Sequence, residues 1–479
     1  MCDTWVAMKD ATLEGRVIFA KNSDRPIFDC QPLLLQPRKR WPAGSRIQTE
    51  YVELPQAEVT FAHLGSSPYW CWGYEEGMNE WGVVIGNEAI YTKAFQLEAN
   101  EFQQGKPASL GLLGMDMIRI ALERCTTSVQ AVELIGTLVT EYGQFGSGNP
   151  GRPHDIGSYD NAFIVADPNE AWILETAGRR WVARRLRQGC ASISNELSIR
   201  TEWDLGSPDL IDYARQKGWW QEPTQASSKQ VFDFAQAYID EKVSRQISHI
   251  RVMRSKQLLT QRSGQITPQW MMRIARDHYE DTFLEGPYFD AANPDFLSLC
   301  MHVSPADFTW GNTASSCVAV LPDKSHDIPV FWWTPGPPCN GCYVPFFPHG
   351  SRLPEIVSKT GRVDKRVMPA DQAFEDSFNS NSYWWLFRQL NDWIKGDPID
   401  SLPGCYFERN TQVRARFNSL EEAFSNQLPE IMKQAIEVKK QSPGEMANIL
   451  DRFTDACVHQ VLDAIQDLTG NKNSNLKIH

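Results

Sequence analysis

Cys2 directly follows Met1. Removal of the initiator Met would leave a cysteine carrying a free α-amine, whose ordinary pKa is about 7.7–8.0. Such an amine is partly neutral near pH 7 and can take the proton of its own thiol, through a water. Nucleophile and base then share one residue and no histidine is required. Taken alone, a Met-Cys start is weak evidence, because many chains begin that way by chance. A second cysteine feature, Cys339-Asn-Gly-Cys342, has the CxxC form. Zinc would need two further ligands at matching spacing and no second CxxC exists; a thioredoxin-type site would need a βαβ setting, and Pro335, Pro337 and Pro338 crowd the approach instead, so it is read as a Gly-containing turn. The segment from Gly143 to Gly157 lacks the preceding strand and following helix of a phosphate-binding loop. No Gly-x-Ser-x-Gly elbow is present.

The elements that would position Cys2 are strands. Thr4 to Met8 is β-rich, and Val17-Ile-Phe-Ala20 is a short apolar run of buried-strand type. Asp10 to Arg16 is read as a turn between them, and Lys21 to Pro26 as a second turn. Val83 to Tyr91 reads as a strand after a Gly-flanked turn. Leu112, Leu113, Met117, Ile120 and Leu122 have helical spacing. Thr127-Ser-Val-Gln130 is a capping-box pattern that opens another helix. Residues 161–166 and 171–176 flank Asp167-Pro-Asn-Glu170 as a hairpin. Trp181 to Leu186, Ala191 to Asn195, Ser316 to Leu321 and Ile328 to Trp333 complete the strands. From about residue 370 the pattern turns helical, through Phe417, Leu420, Phe424 and Leu428 and then Met446, Ile449, Phe453, Cys457 and Val461, with Pro443-Gly444 between two helices.

With 479 residues the chain exceeds one ordinary core and suggests a large domain with an appendage. The net charge of −12 opposes phosphate backbones and anionic membranes, so nucleic acid and membrane are poor partners. No run approaches the roughly 18 apolar residues of a membrane span. The first residues lack the basic start and apolar middle of a signal peptide. The 11 cysteines are scattered and odd in number, which fits reduced thiols and a cytoplasmic protein. No cofactor or metal site is read, and a homo-oligomer is compatible with the sequence.

Cys2-Asp-Thr-Trp-Val-Ala followed by Gly15-Arg-Val-Ile-Phe-Ala-Lys-Asn-Ser-Asp-Arg-Pro26 resembles the secernin and dipeptidase A family of cysteine-type N-terminal-nucleophile hydrolases. It is more distantly similar to penicillin V acylases and bile salt hydrolases. The similarity continues in order through Tyr74 to Glu88, Ala121 to Cys125, Glu141 to Gln144, Ser194-Asn195, Arg276 to Glu280 and Ser382 to Arg388.

The resemblance implies an α+β fold, a four-layer αββα sandwich, placed over residues 2–369; the helical pattern of 370–479 reads as an extension packed on it. It implies that Asp24 hydrogen-bonds and orients the α-amine of Cys2. Lys21 stands where the acylases carry an arginine near the thiol, and a cation there favours thiolate. It implies that the side-chain amide of Asn195 donates to the tetrahedral oxyanion, with Asn87 in the segment that supplies a second donor. A late arginine is expected, Arg251 or Arg254, three apart on one helix face, with Arg251 favoured. His278 has no role in this scheme and is read as a buried, satisfied histidine. The implied activity is hydrolysis of small peptides, especially dipeptides, through an acyl-enzyme on Cys2. Alternatives are a secernin-like non-proteolytic role in interaction or regulation, and an amidase or acyltransferase acting on a non-peptide amide.

Overall fold

The computed structural model describes residues 1–221, 231–285, 297–303, 311–323, 328–363, 367–395, 405–439 and 441–470. Two mainly antiparallel sheets lie face to face. The first has six strands in the order Cys190–Ile193, Cys2–Ala7, Ile18–Arg25, Asn312–Val320, Val330–Pro335 and Val344–Phe346. The second has eight and is built around Val84–Ile90, Asp160–Ala166, Ala171–Ala177 and Arg180–Leu186. The N-terminal strand contacts Val84–Ile90 and Asp160–Ala166 across the interface between the sheets.

Helices cover both outer faces. His249–Gln261 and Pro268–Ala275 pack on the first sheet, and the helices at Gly114–Arg124 and Ser128–Tyr142 on the second. The result is the α/β/β/α layering that the resemblance implies. Helices Tyr383–Lys395, Cys405–Lys439 and Pro443–Thr469 pack at the end of the first sheet, against Val330–Pro335 and Val344–Phe346.

Local chemistry accounts for several boundaries. Thr127 caps its helix by accepting the Gln130 N–H. The caps Thr267 and Ser442 are each followed by a proline in the first helical turn, where no N–H partner is lost. The hairpin pairs Ala166 with Ala171 and Ala162 with Glu175, as its turn sequence predicts.

One expectation fails: Lys21 to Arg25 is not a turn. These residues continue the second strand to Arg25, and the whole of Ile18–Arg25 is buried. Cys2 pairs with Ser23, and Thr4 with Lys21. The polar residues that mimic a turn in sequence are buried because the strand delivers them to interior hydrogen bonds.

Candidate active site

Strand alternation sorts the polar residues of the first two strands onto two faces. Thr4 and Lys21 project toward the second sheet, where the Thr4 hydroxyl meets Glu88 and Lys21 meets Glu75 and Asn87. Asp3 and Asn22 project toward the helices. Asp3 pairs with Arg251, and the Asn22 amide donates to the carbonyls of Ala275 (2.9 Å) and Leu299 (2.6 Å).

Cys2 sits at the end of the first strand, 6% exposed. Its thiol accepts the Asp24 N–H at 3.3 Å. It borders a cavity of about 280 Å³ whose walls include Asp24, Arg25, Glu75, Asn87, Tyr159 and Asn195. Burial pushes the thiol up to about 12, an effect Lys21 partly offsets. Met1 occupies part of the cavity wall, and its amine donates to the Asp24 carbonyl at 3.2 Å. Burial lowers the pKa of that amine below its ordinary value.

Asn195 follows the strand Cys190–Ile193 that flanks Cys2–Ala7. Its Oδ1 accepts the Cys2 N–H at 3.1 Å and an Arg251 N–H at 2.6 Å. Its Nδ2 donates to the Ala89 carbonyl at 2.7 Å. Asn87, on the facing sheet, donates through Nδ2 to Asn161 at 2.9 Å. An amide nitrogen carries two N–H bonds, so each side chain has a second N–H besides the one engaged in this way. Gly114, in the first turn of its helix, makes room for this pair: a Cβ there would lie 2.0 Å from Asn161 Oδ1.

Arg251 is fully buried in its helix. Beyond Asn195 and Asp3, it donates to the Cys2 carbonyl at 3.2 Å and lies 3.7 Å from Asp24 Oδ2. Arg254, the alternative, binds Asp277 through two hydrogen bonds of 2.8 and 2.7 Å.

Lys21 is buried rather than solvated. Its ammonium donates to the Glu75 carbonyl (2.7 Å), the Asn87 carbonyl (2.6 Å), Glu75 Oε2 (3.1 Å) and Asn87 Oδ1 (3.2 Å). Burial opposes its charge, but Glu75 and the neighbouring acidic groups outweigh it and raise its pKa. Gly86 permits this passage, since a Cβ there would lie 2.8 Å from Lys21 Cδ.

Asp24 differs in detail from the expectation. The Cys2 backbone nitrogen is held by Asn195, not by the Asp24 carboxylate, because residue 24 lies one step out of phase with Ser23, the partner of Cys2. Asp24 Oδ1 accepts the Thr313 hydroxyl at 2.8 Å. Its Oδ2 is buried without a hydrogen-bond partner among the described residues. Burial raises its pKa to about 7 against the pull of the amine and Arg251.

Sequence reasoning missed Glu75 and Arg25. Glu75 bridges Lys21 and Arg25, with Arg25 Nη1 at 3.0 Å from Oε1. Arg25 also pairs with Asp29 and donates to the Gly148 carbonyl at 2.9 Å, which ties the glycine-rich loop to the cavity. Both residues lie inside the sequence blocks that carry the resemblance, but their partners are distant in sequence.

The model for peptidase family C69 matches residues 1–365. This chain belongs to peptidase family C69. A dipeptidase of Bifidobacterium longum is 26% identical over 220 residues, which is 43% of this chain and 38% of the relative. A probable dipeptidase of Latilactobacillus sakei is 22% identical over 218 residues, covering 43% of this chain and 42% of the relative. The matched part thus spans about two fifths of the length of these curated relatives. Among solved structures, a mutant conjugated bile acid hydrolase from Clostridium perfringens aligns with a TM-score of 0.36 and 11% identity, over 69% of this chain and 88% of that one. A Caenorhabditis elegans N-acylethanolamine-hydrolyzing acid amidase ortholog aligns with a TM-score of 0.32 and 13% identity, over 68% and 95%. Among the described residues no helix is long and apolar enough to cross a membrane.

Proposed function

We propose that this C69 member is a cysteine-dependent amide hydrolase that cleaves small peptides through an acyl-enzyme on Cys2. The observation that carries the reading is the placement of Cys2. It ends a buried strand beside a small cavity, with its backbone nitrogen, the group that becomes the α-amine, fixed by Asn195. A rigid strand is a good mount for a nucleophile.

Loss of Met1 does two things in this scheme. It frees the amine, and it vacates part of the cavity wall. Asp24 Oδ2, which accepts no hydrogen bond from the described residues, is then an anchor offered to the amine besides Asn195. The thiol proton passes to the amine and the Cys2 sulfur bonds to the amide carbon. Asn195 and Asn87 offer N–H donors to the oxyanion. The C–N bond breaks as the ammonium protonates the leaving amine, leaving a thioester. Water, giving its proton to the amine, adds to the thioester. The C–S bond breaks, releasing the acid, and the ammonium returns its proton to sulfur.

The amine serves as base because a thiol, with an ordinary pKa of about 8.5, is mostly protonated near neutrality. A cavity of about 280 Å³ suits a small peptide better than a folded chain. A reducing, cytoplasmic setting belongs to the same proposal, and no disulfide joins the ten described cysteines.

The test is a panel of dipeptides and acyl amides on wild type and Cys2→Ala, after mass spectrometry has established the N-terminus. Turnover by wild type that vanishes in Cys2→Ala supports the reading; equal turnover by both overturns it.

A further inference from the structure

His278, Cys300, His302 and Cys339 come together on the helix side of the first sheet, apart from the Cys2 cavity. One ligand atom from each lies within 4.8 Å of all the others. The His302 Nε2 is 3.5 Å from the Cys300 sulfur and 3.2 Å from the Cys339 sulfur. The rings of His278 and His302 lie 5.3 Å apart, centroid to centroid. Zinc–sulfur and zinc–nitrogen bonds of about 2.3 and 2.05 Å at a tetrahedral angle put sulfur and nitrogen about 3.6 Å apart. The observed spacings are those of ligands ready to share one ion.

We propose that these four residues form a closed Cys2His2 site for a divalent zinc-type ion. Two thiols and two imidazoles are a donor set that selects zinc over magnesium or calcium. Four protein ligands leave no open position, so the ion is structural rather than catalytic. His278 is steadied from outside by Glu280, whose Oε1 is 3.4 Å from Nδ1, the carboxylate support typical of a metal-bound histidine.

The segments tied together explain what such an ion does. His278 adjoins Asp277, which grips Arg254 on the helix that carries Arg251. Met301, between Cys300 and His302, exchanges hydrogen bonds with Thr313, and Thr313 holds Asp24. Cys339 lies on a proline-rich turn anchored by Arg414 of a C-terminal helix, 3.1 Å from its carbonyl. One ion would lock three loops, of which one reaches the helix of Arg251, one reaches Asp24 through Thr313, and one is held by the C-terminal helix. The CxxC cysteine Cys342 takes no part: its sulfur lies beside the Phe417 carbonyl at 4.0 Å. The spacing hidden in the sequence is Cys300-Met-His302, with one ligand on either side.

The experiment uses the full chain without a metal-binding tag. Metal content is measured by plasma mass spectrometry, then metal-free protein is titrated with Co²⁺ alone and followed by the absorption of tetrahedral cobalt thiolate. The expected result is about one zinc per chain, as a closed site requires. Co²⁺ should give the tetrahedral spectrum and Zn²⁺ should erase it. Cys339→Ser and His302→Ala should bind at least tenfold more weakly, and Cys342→Ser as wild type does. Wild type without stoichiometric zinc and without the cobalt spectrum overturns the site. So does a Cys300–Cys339 disulfide in freshly isolated protein, or a Cys339→Ser variant that retains its metal.

Discussion

Arg251 and Asn195 meet over the backbone of Cys2. The guanidinium donates to Asn195 Oδ1 at 2.6 Å, and that same oxygen accepts the Cys2 N–H at 3.1 Å. A buried cation from a helix and an amide at the end of a neighbouring strand thus fix one atom, the nitrogen that the proposed chemistry uses as its base. Arg251 also donates to the Cys2 carbonyl and pairs with the Asp3 carboxylate, which holds the next peptide along the strand.

Asn195→Ala should therefore do more than remove an oxyanion donor. It unpairs an Arg251 N–H and releases the Cys2 nitrogen. The expected loss in kcat is about 10²–10³, the range for one oxyanion donor. Thermal unfolding should show destabilisation of about 1–3 kcal/mol from the unsatisfied buried groups. A variant with unchanged kcat removes Asn195 from the mechanism.

Arg251→Met should be damaging through Asp3. The carboxylate it abandons is fully buried, and stranding one member of such a pair costs about 3–5 kcal/mol. The double variant Arg251→Met with Asp3→Asn should recover much of that stability without recovering activity. Denaturant unfolding of the three proteins checks it.

Asp24 should leave a signature in the pH dependence of stability. Its folded pKa is about 7, above the ordinary value of about 3.9. A carboxyl with a raised folded pKa binds its proton more tightly when folded, so its stabilising contribution is complete below about pH 4 and is lost as pH rises through about 7. Asp24→Asn should flatten the fall in stability between those limits, by about 2–4 kcal/mol at pH 8, the shift converted at about 1.36 kcal/mol per pH unit. Urea unfolding across pH measures it. A wild-type stability that rises over this window contradicts the assignment.

Lys21 lowers the Cys2 thiol pKa. Lys21→Met should raise it further, so alkylation at fixed pH should slow and its pH profile move upward. Gly86→Ala should reproduce part of this by displacing the lysine stem, since the new Cβ would lie 2.8 Å from Lys21 Cδ. The rate of iodoacetamide labelling at Cys2 against pH reads both.

Much of this fold and site is legible in the sequence, for physical reasons. Strands such as Ile18 onward and Ala171–Ala177 announce themselves because apolar, β-branched runs have few other homes. Thr127 marks its helix because capping is local. Lys21 to Arg25 deceives because the residues that favour turns also serve as buried hydrogen-bonding groups, and only the facing Glu75 and Asn87 distinguish the two. The order Cys2, Lys21, Asp24, Asn195 could be picked out by resemblance; Cys2, Asp24 and Asn195 line one cavity, and Lys21 lies behind its lining residues Glu75 and Asn87. The division of labour between Asn195 and Asp24 could not, because it depends on which face of the strand each side chain takes. The cluster of His278, Cys300, His302 and Cys339 is invisible to a search for paired CxxC motifs, since its ligands come from three separate loops.

The central claim is that Cys2, with a free α-amine, is the nucleophile. Intact-protein mass spectrometry before and after exposure to a slowly turned-over acyl amide tests it most directly. The account predicts a chain lacking Met1 that gains one acyl group, mapped to Cys2 and absent in Cys2→Ala. A chain that retains Met1 or carries a blocked N-terminus and yet hydrolyses the amide, or an acyl group mapped elsewhere, would contradict it.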